Sequence, residues 1–170
     1  MLNKTKLAVT CGVMTLMAGA CFAQNDGSKS AELPKYFHLD FVVKELEGGK
    51  TINARHYSTT AAAGDNGCSI RTGSKVPTPA GGAASGQYTY IDVGVNIDCR
   101  SPKEVDGNLA LSLVAEVSSV ATASSPPVIR QNRWNSSVVV PIGKPTVVFS
   151  SDDLTTKGQM QLELTATPVK

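Results

Sequence analysis

The sequence lacks the residues and motifs by which most catalytic and metal-binding proteins are recognised. It has two histidines in 170 residues, His38 and His56. It contains no HExxH, CxxC or GxSxG motif and no phosphate-binding GxxxxGKS/T motif. We therefore expect a protein that is not an enzyme and that needs neither a metal ion nor a cofactor. A hydrolase is a third hypothesis, with no motif behind it.

An excess of either charge is also missing. The chain has 16 Lys and Arg residues against 14 Asp and Glu residues, and two of the lysines, Lys4 and Lys6, lie in the basic opening "MLNKTK". Without those two lysines the positive and negative counts are equal. A near-neutral chain has no general electrostatic attraction for nucleic acid or for an anionic membrane surface, so we expect neither as a partner on this ground.

The sequence has one long apolar run, and this run is N-terminal. It is the 14-residue stretch "LAVTCGVMTLMAGA", which follows the basic opening and precedes "CFA" and Gln24. This order predicts a secretory signal peptide over residues 1–23, which is too short to span a bilayer comfortably. The expected location is therefore periplasmic or secreted. The alternative is an outer-membrane lipoprotein lipidated at Cys21, although Ala18 replaces the usual large aliphatic residue. Membrane contact is expected only in that case.

The rest of the chain predicts one all-β domain behind a polar, flexible leader. The leader covers residues 24–34 and the domain covers residues 35–170. Apolar residues alternate with polar ones in the domain, as they do in antiparallel strands with one wet face. We expect an antiparallel β-sandwich or a partly open barrel of about eight strands. The predicted strands are 36–46, 51–58, 68–76, 90–99, 109–117, 128–140 (with a bulge near Trp134), 146–150 and 159–167.

Two cysteines remain after the signal peptide, Cys68 and Cys99. In an exported protein two such cysteines usually form a disulfide, and the alternative is two free, buried thiols. If the cysteines face each other across an antiparallel pair, Ile70 lies opposite Ile97 and Lys75 lies opposite Asp92. A shift by one residue would place apolar residues opposite polar ones. The hydrophobic pattern, the charges and the disulfide therefore favour one register.

The same register places Arg71 diagonal to Asp98, where opposite charges are favourable across neighbouring strands. In the first predicted hairpin, a turn at Gly48 and Gly49 would put His38 and His56 on opposite faces, where they cannot share a metal ion.

A candidate binding surface surrounds the single tryptophan, Trp134, which is flanked by Arg130 and Arg133. A tryptophan beside guanidinium groups is typical of recognition hot spots. The alternative is a tryptophan in the core or at its rim, with the arginines on the opposite face.

The order of motifs from Cys68 to Val169 resembles the core of the secretins of type II and type III secretion systems. The segments that carry the resemblance are "IRTGSKVP", "YTYIDVGVNIDC", "DGNLALSLVAEVSS", "PPVIRQNRWNSSVVVPIGKPTVVFSS" and "QLELTATPV". Secretins have a double glycine and a long proline-rich stretch where this sequence has "SSDDLTTKGQM", so residues 68–169 resemble a truncated secretin core. The positions that match the family pattern are Gly73, Pro77, Tyr90, Asp92, Val93, Gly94, Val95, Asp106, Gly107, Glu116, Val117, Ser118, Pro127, Arg130, Gly143, Thr167 and Pro168.

The resemblance implies a β topology and a cell-envelope setting, with no active site. We expect an exported, non-catalytic β-domain protein that acts by binding or assembly in the bacterial cell envelope and is linked to protein secretion. Its partners would be envelope or secretion-system proteins, or further copies of itself. The alternative is an independent β-sandwich that binds a small molecule, glycan or peptide through the loops near Gly81–Gly86 and Trp134.

Overall fold

Eight antiparallel strands make up the described part of the chain. The computed structural model describes residues 34–64, 67–80, 86–122, 126–153 and 158–169. The predicted signal peptide and all but the last residue of the predicted leader lie outside these ranges. The strands are β1 Tyr36–Glu47, β2 Lys50–Ala62, β3 Cys68–Pro79, β4 Tyr88–Val105, β5 Asn108–Thr122, β6 Val128–Pro141, β7 Thr146–Asp152 and β8 Gly158–Pro168.

The strands form two four-stranded sheets that do not close into a barrel. Sheet A has the order β2-β1-β8-β7, and sheet B has the order β3-β4-β5-β6. The chain changes sheet between β2 and β3 and again between β6 and β7. The Gly143 N–H, in the second of these connections, donates to the carbonyl of Ala166 in β8 at 2.8 Å. The prediction of an all-β sandwich is confirmed, and the barrel alternative is not.

The core lies between the inward faces of the two sheets, as the alternation predicts. In β5 every second residue from Leu109 to Val117 is buried, and β1 contributes Phe37 and Phe41 from the opposite sheet. Burial of each large apolar side chain stabilises the fold by roughly 1.5–3 kcal/mol. The fully buried large side chains include Phe37, Leu39, Phe41, Val95, Ile97, Leu109, Leu113, Val140, Leu162 and Leu164.

Two tight turns account for two of the hairpins. Gly48 and Gly49 join β1 to β2 with φ angles of 57° and 80°, and Asp106 and Gly107 join β4 to β5 with φ angles of 49° and 74°. Two consecutive positive φ angles are typical of the type I′ turn, whose twist matches that of the flanking strands. The turn expected at Gly48 and Gly49 is therefore confirmed, and Asp106–Gly107 is the Asp-Gly pair that type I′ turns favour.

The prediction that His38 and His56 lie on opposite faces is wrong. A register shift between Glu45 and Leu46 inserts one extra residue into β2, so His38 pairs with Thr60 and His56 with Val42. Both histidines consequently lie on the outer face of sheet A. They are four residues apart along the sheet, which is about 13 Å at 3.3–3.4 Å per residue. No group of His, Cys, Asp or Glu side chains in the described ranges is suited to hold a metal ion.

The predicted bulge near Trp134 is also wrong. The β5–β6 register runs without interruption from Asn108 to Val120, and the shift falls between Val120 and Thr122. The sequence around Trp134 breaks the apolar alternation because Asn132 and Ser136 occupy inward positions, and no residue is inserted there.

Candidate functional site

Sheet B divides into two hairpins at one end, where the pairing between its two central strands stops. The β4–β5 pairing ends at Val95 opposite Val117, although β4 begins at Tyr88 and β5 continues to Thr122. Beyond that point β4 pairs with β3 and β5 pairs with β6. We refer to residues 72–80 and 86–93 as the β3–β4 arm, and to residues 119–122 and 126–130 as the β5–β6 arm.

A pair of facing glycines forms the root of the β3–β4 arm. Gly73 lies opposite Gly94, and a Cβ atom on Gly73 would overlap the carbonyl oxygen of Val93. A Cβ atom on Gly94 would likewise overlap the carbonyl oxygen of Thr72. The two glycines line a cavity of about 370 Å³ together with Arg71, Asp92 and Asn96 among others. The close approach of the two backbones therefore depends on glycine at both positions.

Two ion pairs flank this glycine pair, as the register predicts. Arg71 donates from Nη2 to both carboxylate oxygens of Asp98 at 2.8 Å. Lys75 donates to Asp92 at 2.9 Å on the other side of the glycines. Exposed pairs of this kind typically contribute about 0.2–1 kcal/mol each. They favour the register more than they stabilise the domain.

The Cys68–Cys99 disulfide lies on the inner face of sheet B. The two residues are direct partners in the β3–β4 ladder, and their Cα atoms are 4.9 Å apart. Cys99 is buried in the core, and Cys68 is partly buried against it. Ile70 opposite Ile97 and Lys75 opposite Asp92 are found as predicted, so the register is confirmed. The disulfide links the edge strand β3 to β4 outside the β3–β4 arm.

Trp134 is turned toward the core. Its ring stacks on Phe149 of sheet A, with 5.6 Å between the ring centroids and 11° between the planes. It is partly buried and packs against the core cluster. The stack links the two sheets, since Trp134 belongs to β6 and Phe149 to β7. This placement matches the alternative in which Trp134 lies in the core or at its rim.

The two arginines predicted to accompany Trp134 lie on different faces of β6. Arg130 lies on the same face of β6 as Trp134, since the two residues are four apart in the strand, and it forms an ion pair with Asp153 at 3.6 Å. Arg133 lies on the outer face and approaches Glu116 at 3.8 Å. The structure therefore does not bring Trp134, Arg130 and Arg133 together in one surface. A binding role for any of them stays a prediction.

Arg130 lines a second cavity, of about 200 Å³, where the two sheets part. Its lining combines the apolar Met160 and Ile52 with both signs of charge, from Arg130, Glu45 and Asp153. The amide nitrogen of Asn132 approaches the sulfur of Met160 at 3.8 Å across this space. The charges are partly neutralised within the chain, because Arg130 pairs with Asp153 and Glu45 pairs with Arg55 at 3.6 Å.

Sequence reasoning did not identify the most exposed aromatic side chains of the described ranges. Tyr88 and Tyr90 are each 61% exposed, on the outer face of the β3–β4 arm. They lie opposite Pro79 and Pro77 in the ladder. The signal that could have found them is their even numbering, which they share with the outward Asp92. A strand that buries its odd-numbered residues must expose these two tyrosines.

Comparisons with known proteins by sequence return nothing: no family model matches the chain, and no curated protein matches it. Within the described ranges, no helical segment has the length and apolar character that a membrane crossing demands.

Comparison of structures identifies the architecture. The chain is similar to the secretin InvG of the Salmonella SPI-1 type III secretion injectisome, with 11% identity and a TM-score of 0.56, over 81% of this chain and 65% of that chain. It is similar to the type II secretin GspD of enteropathogenic Escherichia coli, with 10% identity and a TM-score of 0.56, over 81% of this chain and 70% of that one.

A third similar structure is an assembly, the Salmonella SPI-1 injectisome basal body with InvG, PrgH and PrgK. The match has 11% identity and a TM-score of 0.56, over 81% of this chain and 46% of the matched chain. The protein is thus an all-β sandwich, and its fold is secretin-like. The chain spans about two thirds of InvG, the first of these relatives.

Proposed function

We propose that this protein is an exported, non-catalytic β-domain that acts by assembly in the bacterial cell envelope, in connection with protein secretion. The observation that carries the proposal is an open four-stranded sheet in a secretin-like fold. β3 and β6 lie at its two edges, and each pairs with one neighbouring strand. An edge strand presents unpaired N–H and C=O groups, which are a template for pairing with another chain.

The two edges differ, and this difference favours head-to-tail association of copies. β3 carries Pro77 and Pro79, which have no N–H to donate, so its pairing segment is confined to residues 68–76. β6 has no proline before Pro141. Pairing of β6 from one copy with residues 68–76 of β3 from the next is a heterologous contact. Such contacts generate a ring when the rotation that relates successive copies closes on itself.

Partners among envelope secretion proteins are a second part of the proposal. One of the similar structures contains a secretin together with PrgH and PrgK. We propose by analogy that this protein associates with envelope proteins of a secretion system. Direct membrane contact would require lipidation at Cys21, and nucleic acid is not a proposed partner.

The test uses the full chain, expressed in a bacterium with its N-terminal segment intact. Mass spectrometry of the envelope and periplasmic fractions should find a chain that begins at Gln24, or a lipidated one that begins at Cys21. Light scattering and negative-stain electron microscopy of the purified protein should then show closed oligomers. A protein that stays in the cytoplasm, or that is monomeric at every concentration and cross-links to no envelope protein, would contradict the proposal.

A second candidate function is an independent sandwich that binds a glycan, peptide or small molecule. The observation that favours it is the exposed pair Tyr88 and Tyr90 beside two prolines. Tyrosine offers a large, rigid, amphipathic contact surface at low entropic cost. Titration with panels of each ligand class should give a saturable change in tyrosine signals that is absent from Tyr88→Ala and Tyr90→Ala. Silence across all panels would exclude these classes at the concentrations used.

A further inference from the structure

Sheet B stops being a single sheet at a defined residue. The last β4–β5 pair is Val95 and Val117, and the same register would next place Gly94 opposite Ser118. Both strands continue as β-structure beyond this pair. The β4–β5 ladder therefore does not stop because either strand ends. A local interaction at this position must stop it.

The side chain of Ser118 occupies the position of the missing rung. Its hydroxyl oxygen accepts a hydrogen bond from the Gly94 N–H at 3.0 Å. The same hydroxyl donates toward the carbonyl oxygen of Gly94 at 3.4 Å. A hydroxyl is both a donor and an acceptor, so it can satisfy the two backbone groups that a partner strand would otherwise satisfy.

The burial of Ser118 fits this role. Its residue exposure is 6%, and in the described part of the chain it is the one buried polar residue. Buried polar groups are costly unless they are hydrogen-bonded, and Ser118 finds its partner in the backbone of Gly94. The next residue, Ser119, is exposed.

Gly94 is also the residue on which the β3–β4 arm depends. Its Cα lies so close to β3 that a Cβ atom would overlap Thr72 and Gly73. One backbone unit is thus held from two sides, by β3 through close approach and by β5 through the Ser118 hydroxyl. The end of the β4–β5 ladder and the root of the arm are the same place.

We infer that Ser118 is the positioning residue that divides sheet B and fixes the root of the β3–β4 arm. Its hydroxyl replaces a backbone rung, ends the β4–β5 ladder at Val95 and Val117, and holds Gly94 at the branch. This role belongs to the single chain. It does not depend on assembly or on any partner, so it can fail while the proposed function holds, and the reverse.

The experiment measures amide hydrogen exchange at Gly94 by NMR in matched variants. Ser118→Thr keeps the hydroxyl and adds a methyl group, and Ser118→Val has the size of that variant with a second methyl group in place of the hydroxyl. Ser118→Ala removes the hydroxyl with the least steric change. Ser119→Ala is the neighbouring control. The amides of Val95 and Ile97, in the part of β4 that pairs with both β3 and β5, report whether the undivided part of sheet B is intact.

The expected result is that exchange at Gly94 becomes about tenfold faster, or more, in Ser118→Ala and Ser118→Val, since its hydrogen bond is lost. Exchange at Val95 and Ile97 should stay within about twofold of the wild type. Ser118→Thr and Ser119→Ala should leave Gly94 protected.

Unchanged exchange at Gly94 in folded Ser118→Ala would overturn the inference, and so would an equal acceleration in Ser119→Ala. If Ser118→Val does not fold, Ser118→Ala against Ser118→Thr carries the comparison alone. If both variants without the hydroxyl are unfolded, the role of Ser118 is general stability, and the inference is overturned as well.

Discussion

Cys68 and Cys99 lie directly opposite each other in the β3–β4 ladder, with their Cα atoms 4.9 Å apart and their disulfide on the core side of the sheet. β3 is an edge strand whose remaining side chains contribute little to the core. The disulfide and the hydrogen-bond ladder are therefore its main attachments. We therefore expect the edge strand and its arm to be sensitive to the oxidation state of the protein.

The first prediction concerns that bond. The two cysteines are 31 residues apart in the sequence. In the chain-entropy description, a disulfide that closes a loop of this length contributes about 3–4 kcal/mol to the free energy of unfolding. We expect the double variant Cys68→Ser/Cys99→Ser to lose about 2–4 kcal/mol in urea unfolding. Reduction of the wild type should give the same loss. Thiol labelling of the oxidised, denatured protein should find neither Cys68 nor Cys99 free, and a labelled Cys68 or Cys99 would contradict the prediction.

A second prediction tests the core. Leu113 is fully buried at the centre of β5, whereas Ile52 is 63% exposed on β2. Replacement of Leu113 by Ala should lower the free energy of unfolding by about 2–5 kcal/mol, since it removes buried methyl groups and leaves a cavity. Replacement of Ile52 by Ala should change it by less than about 0.5 kcal/mol. Similar losses for the two variants, measured by chemical denaturation, would contradict the assigned inner face.

The third prediction concerns the facing glycines. A Cβ atom at residue 73 has no room against Val93, whereas Ser74 is exposed beside it. We expect Gly73→Ala to destabilise the root of the arm by about 1–3 kcal/mol through overpacking. Exchange of arm amides should accelerate, while amides of sheet A stay protected. Ser74→Ala is the matched control, and equal exchange in the two variants would show that the backbones do not approach as closely as described.

Two ion pairs of different burial provide the fourth prediction. Asp98 is 29% exposed and bonds both oxygens to Arg71, whereas Asp92 is 70% exposed beside Lys75. Double-mutant cycles should give a coupling energy within about 0.2–1 kcal/mol for Arg71–Asp98 and a smaller one for Lys75–Asp92. Added salt should weaken both, because exposed charges are screened. The reverse order of coupling energies would be inconsistent with the two geometries.

The fifth prediction connects sheet B with assembly. Val139 is 62% exposed on the edge strand β6, and Val147 is 48% exposed on the edge strand β7 of sheet A. A lysine on an edge strand opposes pairing with another chain. Val139→Lys should therefore reduce the oligomers expected under the proposed function, whereas Val147→Lys should leave them in place. Sedimentation of both variants at equal concentration gives the comparison, and unaltered oligomers in Val139→Lys would exclude the β6 edge from assembly.

The inward and outward sides of most strands were predictable from the sequence. A strand has a side-chain period of two, so the run from Leu109 to Val117 identifies its buried face without any knowledge of neighbouring strands. The β3–β4 register was also predictable, because the two cysteines, the apolar residues and the charges all require the same pairing. The motif order likewise indicated the secretin-like fold, which the structural comparisons support.

Features that depend on a neighbouring strand were not predictable. The two histidines share a face because one residue is inserted in β2 near Leu46, and the local sequence does not mark that insertion. The sequence left two placements open for Trp134, on a binding surface or at the core, and only the structure shows that its ring stacks on Phe149 of the opposite sheet.

The sequence by itself therefore determined the strands, the buried face of most of them and the hairpins closed by short turns, because each of these follows from local periodicity and turn chemistry. The tertiary structure alone decided that β1 pairs with β8 and that sheet B divides at Ser118 and Gly94. Both features join residues far apart in the chain. They follow from the packing of two whole sheets and from the satisfaction of backbone hydrogen bonds across them, which no single segment specifies.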